Sequence, residues 1–274
     1  MNVTKFSEDG MATIAVTEAA DAREGDRNLA KKTADKLCLP FFARKKRSLS
    51  ALFALTSYAY LIVMHKNGAL SLHSRDERDD EKGFIYHPGL ALPRIKAMMQ
   101  GQDDKLMRIA GITPGDVVID ATAGLCSDAV VFSYAVGDLG RCLAFEASQP
   151  LALVVAHGLQ TYQGVPDEVQ DAMRRVELIH ARFEDALQRM PDRSVDVVYL
   201  DPMFEQTIKR SSAMARLKPF TVPPTSESPD LFHPMRVAKK KVVIKIRRHT
   251  PYVHQLNDVT IAAGSGSTTY AILG

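Results

Sequence analysis

Val117-Val118-Ile119-Asp120-Ala121-Thr122-Ala123-Gly124-Leu125-Cys126-Ser127-Asp128 is the stretch on which the fold turns. An apolar run ends in a carboxylate, passes through a turn of small residues, and enters a helical pattern carried by Ala129, Val130, Phe132 and Val136. Small residues let the backbone approach a ligand closely. The helix N-terminus behind them offers unpaired N–H groups and a positive potential. This is a strand–turn–helix unit of the kind that opens a nucleotide-binding sheet.

The next apolar run, Arg141-Cys142-Leu143-Ala144-Phe145-Glu146, also ends in an acid, 26 residues after Asp120. A carboxylate at the tip of a second strand is placed to bind a ribose diol. A third run, Val195-Asp196-Val197-Val198-Tyr199-Leu200, leads into Asp201-Pro202-Met203-Phe204. Its composition and length are those of a buried parallel strand. Asp-Pro by itself is an ordinary turn signal. At the carboxyl edge of a sheet, however, such a tetrapeptide suits a planar amine. The carboxylate accepts from the NH2 group, the proline stiffens the turn, and the ring stacks on a base.

Outward from these motifs, strands are expected at 117–120, 142–146, 176–180, 195–200 and 242–246, with helices at 129–135, 151–162 and 183–190 between them. Alternation of this kind predicts a parallel, doubly wound α/β sheet. The last segments, 259–262 and 269–273 around Gly264-Ser265-Gly266-Ser267, read instead as an antiparallel hairpin; a dehydrogenase domain more often continues its parallel alternation. Upstream, residues 1 to about 25 read as weakly structured. Helices at 22–37 and 48–55, a strand at 58–64, an Asn67-Gly68 turn and a return strand from Leu70 make a small α+β subdomain over residues 1–83. A larger domain then spans 84–274 and opens with helices expected at 91–100 and 105–110. Pro219 to Asp230 has little periodicity and reads as a loop near the ligand-binding edge.

With 274 residues and 46% apolar content, the chain can bury a large core. The three cysteines, Cys38, Cys126 and Cys142, have no metal-ligand spacing, so no metal is expected. Their odd number, and an N-terminus without an apolar signal segment, predict reduced thiols in a cytoplasmic protein. The uncharged run from Ser48 to Met64 is 17 residues long, short of a membrane span. The net charge of +3 makes no case for nucleic-acid binding, but its distribution does. Arg44-Lys45-Lys46-Arg47, then Lys209, Arg210 and Lys218, then Lys239-Lys240-Lys241 with Lys245, Arg247 and Arg248 form basic clusters that bracket the expected active edge, the pattern of a protein with a phosphate-bearing substrate. A charge run is also the ordinary form of a solvated face.

The chain resembles the class I S-adenosylmethionine-dependent methyltransferases. More narrowly, Asp120-Ala121-Thr122-Ala123-Gly124-Leu125 and Tyr199-Leu200-Asp201-Pro202-Met203-Phe204 are similar to the family of the small-subunit ribosomal RNA guanine-N2 methyltransferase RsmJ and its YpiP-like relatives. His87-Pro88-Gly89 and Arg44-Lys45-Lys46-Arg47-Ser48-Leu49 share the flavour of the latter. The resemblance implies a Rossmann-like, seven-stranded sheet closed by the antiparallel hairpin, S-adenosylmethionine as donor, and RNA as partner. It implies Asp120, Thr122, Gly124, Ser127 and Asp128 around the methionine part of the donor, with Asp201 at its border. Glu146 and Ala147 would lie at ribose and adenine, and Arg182 and Phe183 near adenine. Asp201, Pro202 and Phe204 would form the catalytic motif. Arg44, Lys45, Lys46, Arg47, Lys209, Arg210 and Lys218 would contact phosphates. Two positions depart from the pattern. Cys126 stands where such loops carry glycine, and Arg182-Phe183 replaces a short acidic step that Glu184 or Asp185 would have to supply. A DNA, protein or metabolite acceptor, a non-catalytic RNA-binding module, and a dehydrogenase are the alternatives that these motifs leave open.

Overall fold

The computed structural model describes residues 13–76, 83–202, 217–223, 226, 228–246, 259–264 and 268–274. It divides into two units, Met1–Ile85 and Tyr86–Gly274.

The first unit holds β1 (Ile14–Glu18), α1 (Glu24–Lys36), α2 (Leu49–Ala54), β2 (Tyr60–Met64), β3 (Leu70–Ser74) and β4 (Phe84–Ile85), with sheet order β1-β2-β3-β4. The helix and hairpin expectations hold to within a few residues. The expectation of weak structure before residue 25 does not. All five residues of β1 are buried, and the strand runs parallel to β2 from Ile14 opposite Tyr60 to Glu18 opposite Met64. On its outer side, Val16 exchanges backbone hydrogen bonds with Pro40 and Phe42. Its partners are therefore 24 and more residues away, beyond the reach of local periodicity. Phe84–Ile85, assigned from the sequence to the larger domain, is the edge strand of this smaller sheet and pairs with β3.

The second unit begins with α3 (Ala91–Met99) and α4 (Lys105–Ala110). A long alternation follows: β5 (Val117–Asp120), α5 (Ser127–Val136), β6 (Arg141–Glu146), α6 (Gln149–Thr161), α7 (Asp167–Arg175), β7 (Val176–His180), α8 (Phe183–Gln188) and β8 (Val195–Leu200). After a 3-10 turn at Lys218–Phe220 come α9 (Phe232–Val237), β9 (Ala238–Ile246), β10 (Thr260–Ala263) and β11 (Thr269–Leu273). The seven strands run in the order β10-β11-β9-β8-β5-β6-β7. Neighbours from β9 to β7 are parallel, and β11 is antiparallel to both β9 and β10. The doubly wound sheet with its closing antiparallel hairpin is thus present as expected.

Both faces of the sheet are covered, which is why its strands read as near-continuous apolar runs. On one face Ile119, Val198, Leu200, Val242 and Ile244 pack with Leu187 of α8 and Val237 of α9. On the other, the Tyr199 ring meets Phe132 of α5 edge-on at 5.1 Å. Each large apolar side chain so buried contributes roughly 1.5–3 kcal/mol. Two helices were not anticipated. The signals for α7 are in the sequence: Pro166 before it, acids Asp167 and Glu168 in its first turn, and Arg174 and Arg175 in its last. The other, α9, has only six residues. Among the described residues, no helix is long and apolar enough to cross a membrane.

Candidate functional site

The chain order of the sheet reverses between β5 and β8. In open α/β sheets this point, outside the carboxyl ends of the strands, is where ligands bind. The turn after β5 is stitched to both neighbours there. Ala121 N–H donates to the Tyr199 carbonyl at 2.8 Å, and Ala123 N–H to the Phe145 carbonyl at 2.9 Å. Thr122 ties the turn to the β8 tip, its Oγ1 accepting the Asp201 N–H at 2.6 Å. Asp120 accepts the Thr122 N–H at 3.2 Å. Glu146 closes the other side: Oε2 accepts the Gly124 N–H at 3.0 Å and Oε1 the Ser148 N–H at 2.7 Å. Asp120, Glu146 and Asp201, far apart in sequence, therefore share one edge.

The turn needs two left-handed residues, Gly124 at φ +51° and Cys126 at φ +58°. Cys126 is the residue immediately before α5 and is fully buried. The family resemblance implied a glycine at this place, and the backbone has the conformation that glycine adopts without cost. The chain accepts a Cβ there and packs the thiol inside.

The electrostatics of this edge are acidic. Burial, and then the charge of Asp128, push the Asp120 carboxyl well above the usual carboxylate range; Asp201 and Glu146 add to the effect. Burial also raises Glu146, against the pull of its backbone N–H partners. Two cations answer part of this charge. Arg94 of α3 forks onto Asp104 at 2.7 and 2.9 Å and also binds Asp128. Lys245 Nζ lies 2.7 Å from Asp201 Oδ2 and 4.0 Å from Asp128 Oδ2. Tyr199 OH donates to Asp128 Oδ2 at 3.0 Å. Among the described residues carboxylates outnumber cations here, which favours a positively charged ligand.

Of the residues singled out from the sequence, Asp120, Thr122, Gly124, Glu146 and Asp201 come together. Pro202 follows, half-buried. Asp128 is at the start of α5 but is committed to Arg94 and Tyr199. Ser127 faces the His87-Pro88-Gly89 loop, where a Cβ on Gly89 would come to 3.3 Å from its Oγ. His87 braces that loop, its Nδ1 accepting the Gly89 N–H at 3.0 Å and its ring edge-on to Tyr162. Ala147 lies between Glu146 and Ser148, with its carbonyl 3.2 Å from His180 Nε2. Arg182 precedes α8 and lies 3.8 Å from Glu184; Phe183 packs against the core beneath. Lys218 is exposed in the 3-10 turn. Phe204, Lys209 and Arg210 lie outside the described residues. Arg44, Lys45, Lys46 and Arg47 belong to the first unit. There, Arg44 Nε donates to the Arg47 carbonyl at 2.8 Å, and Lys45 and Lys46 are exposed at φ +48° and +63°.

One expectation fails. Lys239, Lys240 and Lys241 do not flank this edge, because β9 starts at Ala238, four residues earlier than expected, and runs parallel to β8. The three lysines therefore stand at the opposite end of the sheet. Lys240 pairs with Asp116 at 2.6 Å, Lys239 and Lys240 approach Asp196, and Lys241 donates to the Ile109 carbonyl. The lysine of that cluster that does stand at the ligand edge is Lys245; Arg247 and Arg248 lie outside the described residues. Lys245 was recognisable as the single charge in Val242–Ile246, at the tip of an otherwise apolar strand. Arg94 and Tyr199 had no comparable signal.

Comparison with known proteins agrees with this topology. A family model described as "Putative SAM-dependent methyltransferase" matches residues 47–268. The chain is 30% identical to "Uncharacterized protein YpiP" of Bacillus subtilis (strain 168), over 82% of this chain and 86% of that one. It is 30% identical to "Ribosomal RNA small subunit methyltransferase J" of Shewanella oneidensis and 32% identical to the protein of that name from Citrobacter koseri; each match covers 66% of this chain and 73% of the other. Among solved structures, a SAM-dependent methyltransferase from Neisseria gonorrhoeae shares the fold, with a TM-score of 0.54 at 17% identity, over 94% of this chain and 95% of that one.

Proposed function

The chain belongs to this family of SAM-dependent methyltransferases and uses S-adenosylmethionine as methyl donor; on that premise we propose that its acceptor is an exocyclic amine of ribosomal RNA, the N2 of a guanine. The observation that carries the reading is Asp201-Pro202 at the tip of β8, tied by Thr122 to the turn that follows β5. The names of the RNA-methylating relatives support the same substrate class.

The residues present fit the donor. A Cβ built on Gly124 would meet nothing within 4 Å, so the turn borders open space. The surplus of carboxylates suits a sulfonium and an ammonium. When bound, the donor supplies an electrophilic methyl group with its own leaving group. Asp120, Thr122, Gly124 and Ser127 would border its amino-acid part, with Arg182 and Phe183 toward the base. Glu146 and Ala147 would meet the ribose and adenine. Glu146 already accepts two backbone N–H groups, and a carboxylate has about four lone-pair sites, which leaves acceptors for a diol. Asp128 serves by fixing Arg94 and Tyr199 rather than by touching the donor.

Asp201 accepts a hydrogen bond from the amine and thereby aims the nitrogen lone pair. Phe204 stacks on the extruded base. Stacking supplies about 1–3 kcal/mol, against an unstacking cost of a few kcal/mol. Positioning is the main catalytic resource in such a displacement and is worth about 7–11 kcal/mol when complete. Arg44, Lys45, Lys46, Arg47, Lys209, Arg210 and Lys218 contact phosphates, which sets register without reading sequence.

The test is transfer of a labelled methyl group from the donor to RNA, DNA and protein fractions, followed by nucleoside mass spectrometry of ribosomal RNA from a deletion strain. Label in RNA, and loss of one N2-methylguanosine from the deletion strain, are expected. Label confined to protein overturns the RNA reading.

A further inference from the structure

We infer that Lys245 is a positioning residue for methyl transfer: its ammonium fixes the Asp201 carboxylate in the orientation that receives the acceptor amine. The inference rests on the reading of Asp201 as the group that meets that amine.

Lys245 is out of keeping with its strand. The other residues of Val242–Ile246 are aliphatic and buried. Ordering a lysine side chain there costs rotamer entropy, before any desolvation of the ammonium. The remaining lysines of β9 lie at the other end of the strand, each with a partner of its own. The fold gives Lys245 no task there, and its contacts give it one. Nζ lies 2.7 Å from Asp201 Oδ2, with the side chain one-third exposed. Asp128 Oδ2 stands 4.0 Å away on the other side. Asp128 is itself fixed by Arg94 and by the Tyr199 hydroxyl, so it is a rigid abutment for the ammonium. Across the sheet, Tyr270 of β11 is directly opposite Lys245 in register and is buried.

Among the described residues, Asp201 is thus restrained both at its main chain and at its side chain. Thr122 holds its main-chain N–H and Lys245 holds its side chain. An aspartate at a strand tip has two free torsions. Removing either restraint leaves the carboxylate chemically intact but no longer aimed. A carboxylate that gives one oxygen to an ammonium keeps acceptor capacity on both oxygens, so the lysine orients Asp201 without consuming it. A phosphate contact, the role that the basic cluster suggested for this lysine, fits poorly with an ammonium already paired to two acids.

The test compares Lys245→Met and Lys245→Arg with the wild-type chain in single-turnover transfer to whichever fraction the wild type labels. Donor affinity is followed by calorimetry and folding by thermal melting. In Lys245→Met we expect the transfer rate to fall at least about tenfold, with donor Kd and acceptor KM each within about threefold, differences of under about 0.7 kcal/mol. The acid limb of the pH–rate profile should move upward, because the cation beside Asp201 is gone. Among the described residues, the other groups that face this position are Asp128, Tyr199, Tyr270, Arg94, Asp104 and Asp120, and all are unchanged in the variant. Lys245→Arg should recover most of the rate. An unchanged rate overturns the inference. So does a loss of rate with an unmoved acid limb, which is the mark of mere structural support. A loss confined to acceptor KM that deepens with salt also overturns it, in favour of a phosphate contact. If the wild type labels protein instead of RNA, the proposed acceptor falls, while the same comparison on that acceptor still decides the role of Lys245.

Discussion

Glu146 and Asp201 end the two strands that flank β5, and they are held in opposite ways. Both Glu146 oxygens accept main-chain N–H groups, from Gly124 and Ser148. The Asp201 side chain is met by a lysine side chain. Backbone donors leave only if the loop refolds, whereas an ammonium is removed by a single substitution that leaves the main chain in place. The difference teaches that the β6 side of the edge is set by the main chain and the β8 side, among the described residues, by a side chain.

The strongest way to break this comparison is Asp201→Ala. Methyl transfer should fall by at least about a hundredfold, while calorimetry finds donor affinity within about threefold of wild type. Equal losses in both would mean that the two sides are one. Next is Glu146→Ala, which removes an acceptor from two N–H groups as well as from the donor. Donor affinity should weaken about tenfold to thirtyfold, and thermal melting should show a loss of about 1–3 kcal/mol for the unsatisfied amides. Glu146→Gln should recover part of the stability through its remaining acceptor oxygen.

Asp120, between the two, sharpens the comparison through pH. Its carboxyl is raised in the folded protein, so the folded state holds the proton more tightly than the unfolded one. Its contribution to stability is therefore neutral below the unfolded titration near pH 4 and turns unfavourable as pH rises through the folded titration. Asp120→Asn keeps an acceptor for the Thr122 N–H and removes the charge. The melting temperature of the variant relative to wild type should increase as pH rises above the unfolded titration; a flat difference would mean that the buried carboxyl is not penalised. The smallest effect is expected at the turn joining the two sides. Cys126→Gly trades a buried thiol for relief of a left-handed residue, terms of about 1–2 kcal/mol each and of opposite sign. Melting should move by no more than a few degrees, whereas Cys126→Val should destabilise clearly.

Much of this architecture is legible along the chain, for identifiable reasons. β5, β6 and β8 are buried on both faces, so they read as apolar runs, and each ends in an acid at the edge where ligands bind. β1 escapes such reading because it is five residues long and its pairing partners are distant in sequence. α7 was passed over although its charges mark both ends. The lysines of β9 mislead for a geometric reason. Six residues of strand separate Lys239 from Lys245, about 20 Å at 3.3 Å per residue, so one cluster in the sequence serves both ends of the sheet.

By itself, then, the amino-acid order determined the doubly wound sheet, its closing hairpin, and the three acids that meet at its switch point. All of these follow from local apolar patterning and the fixed handedness of strand–helix–strand connections. Only the tertiary structure decided which cation answers which acid: Arg94 with Asp128, Lys245 with Asp201, and Lys240 with Asp116 at the far end. Ion pairing depends on distances of a few ångströms between residues 34, 44 and 124 positions apart, and those distances exist only once the strands have taken their order and register.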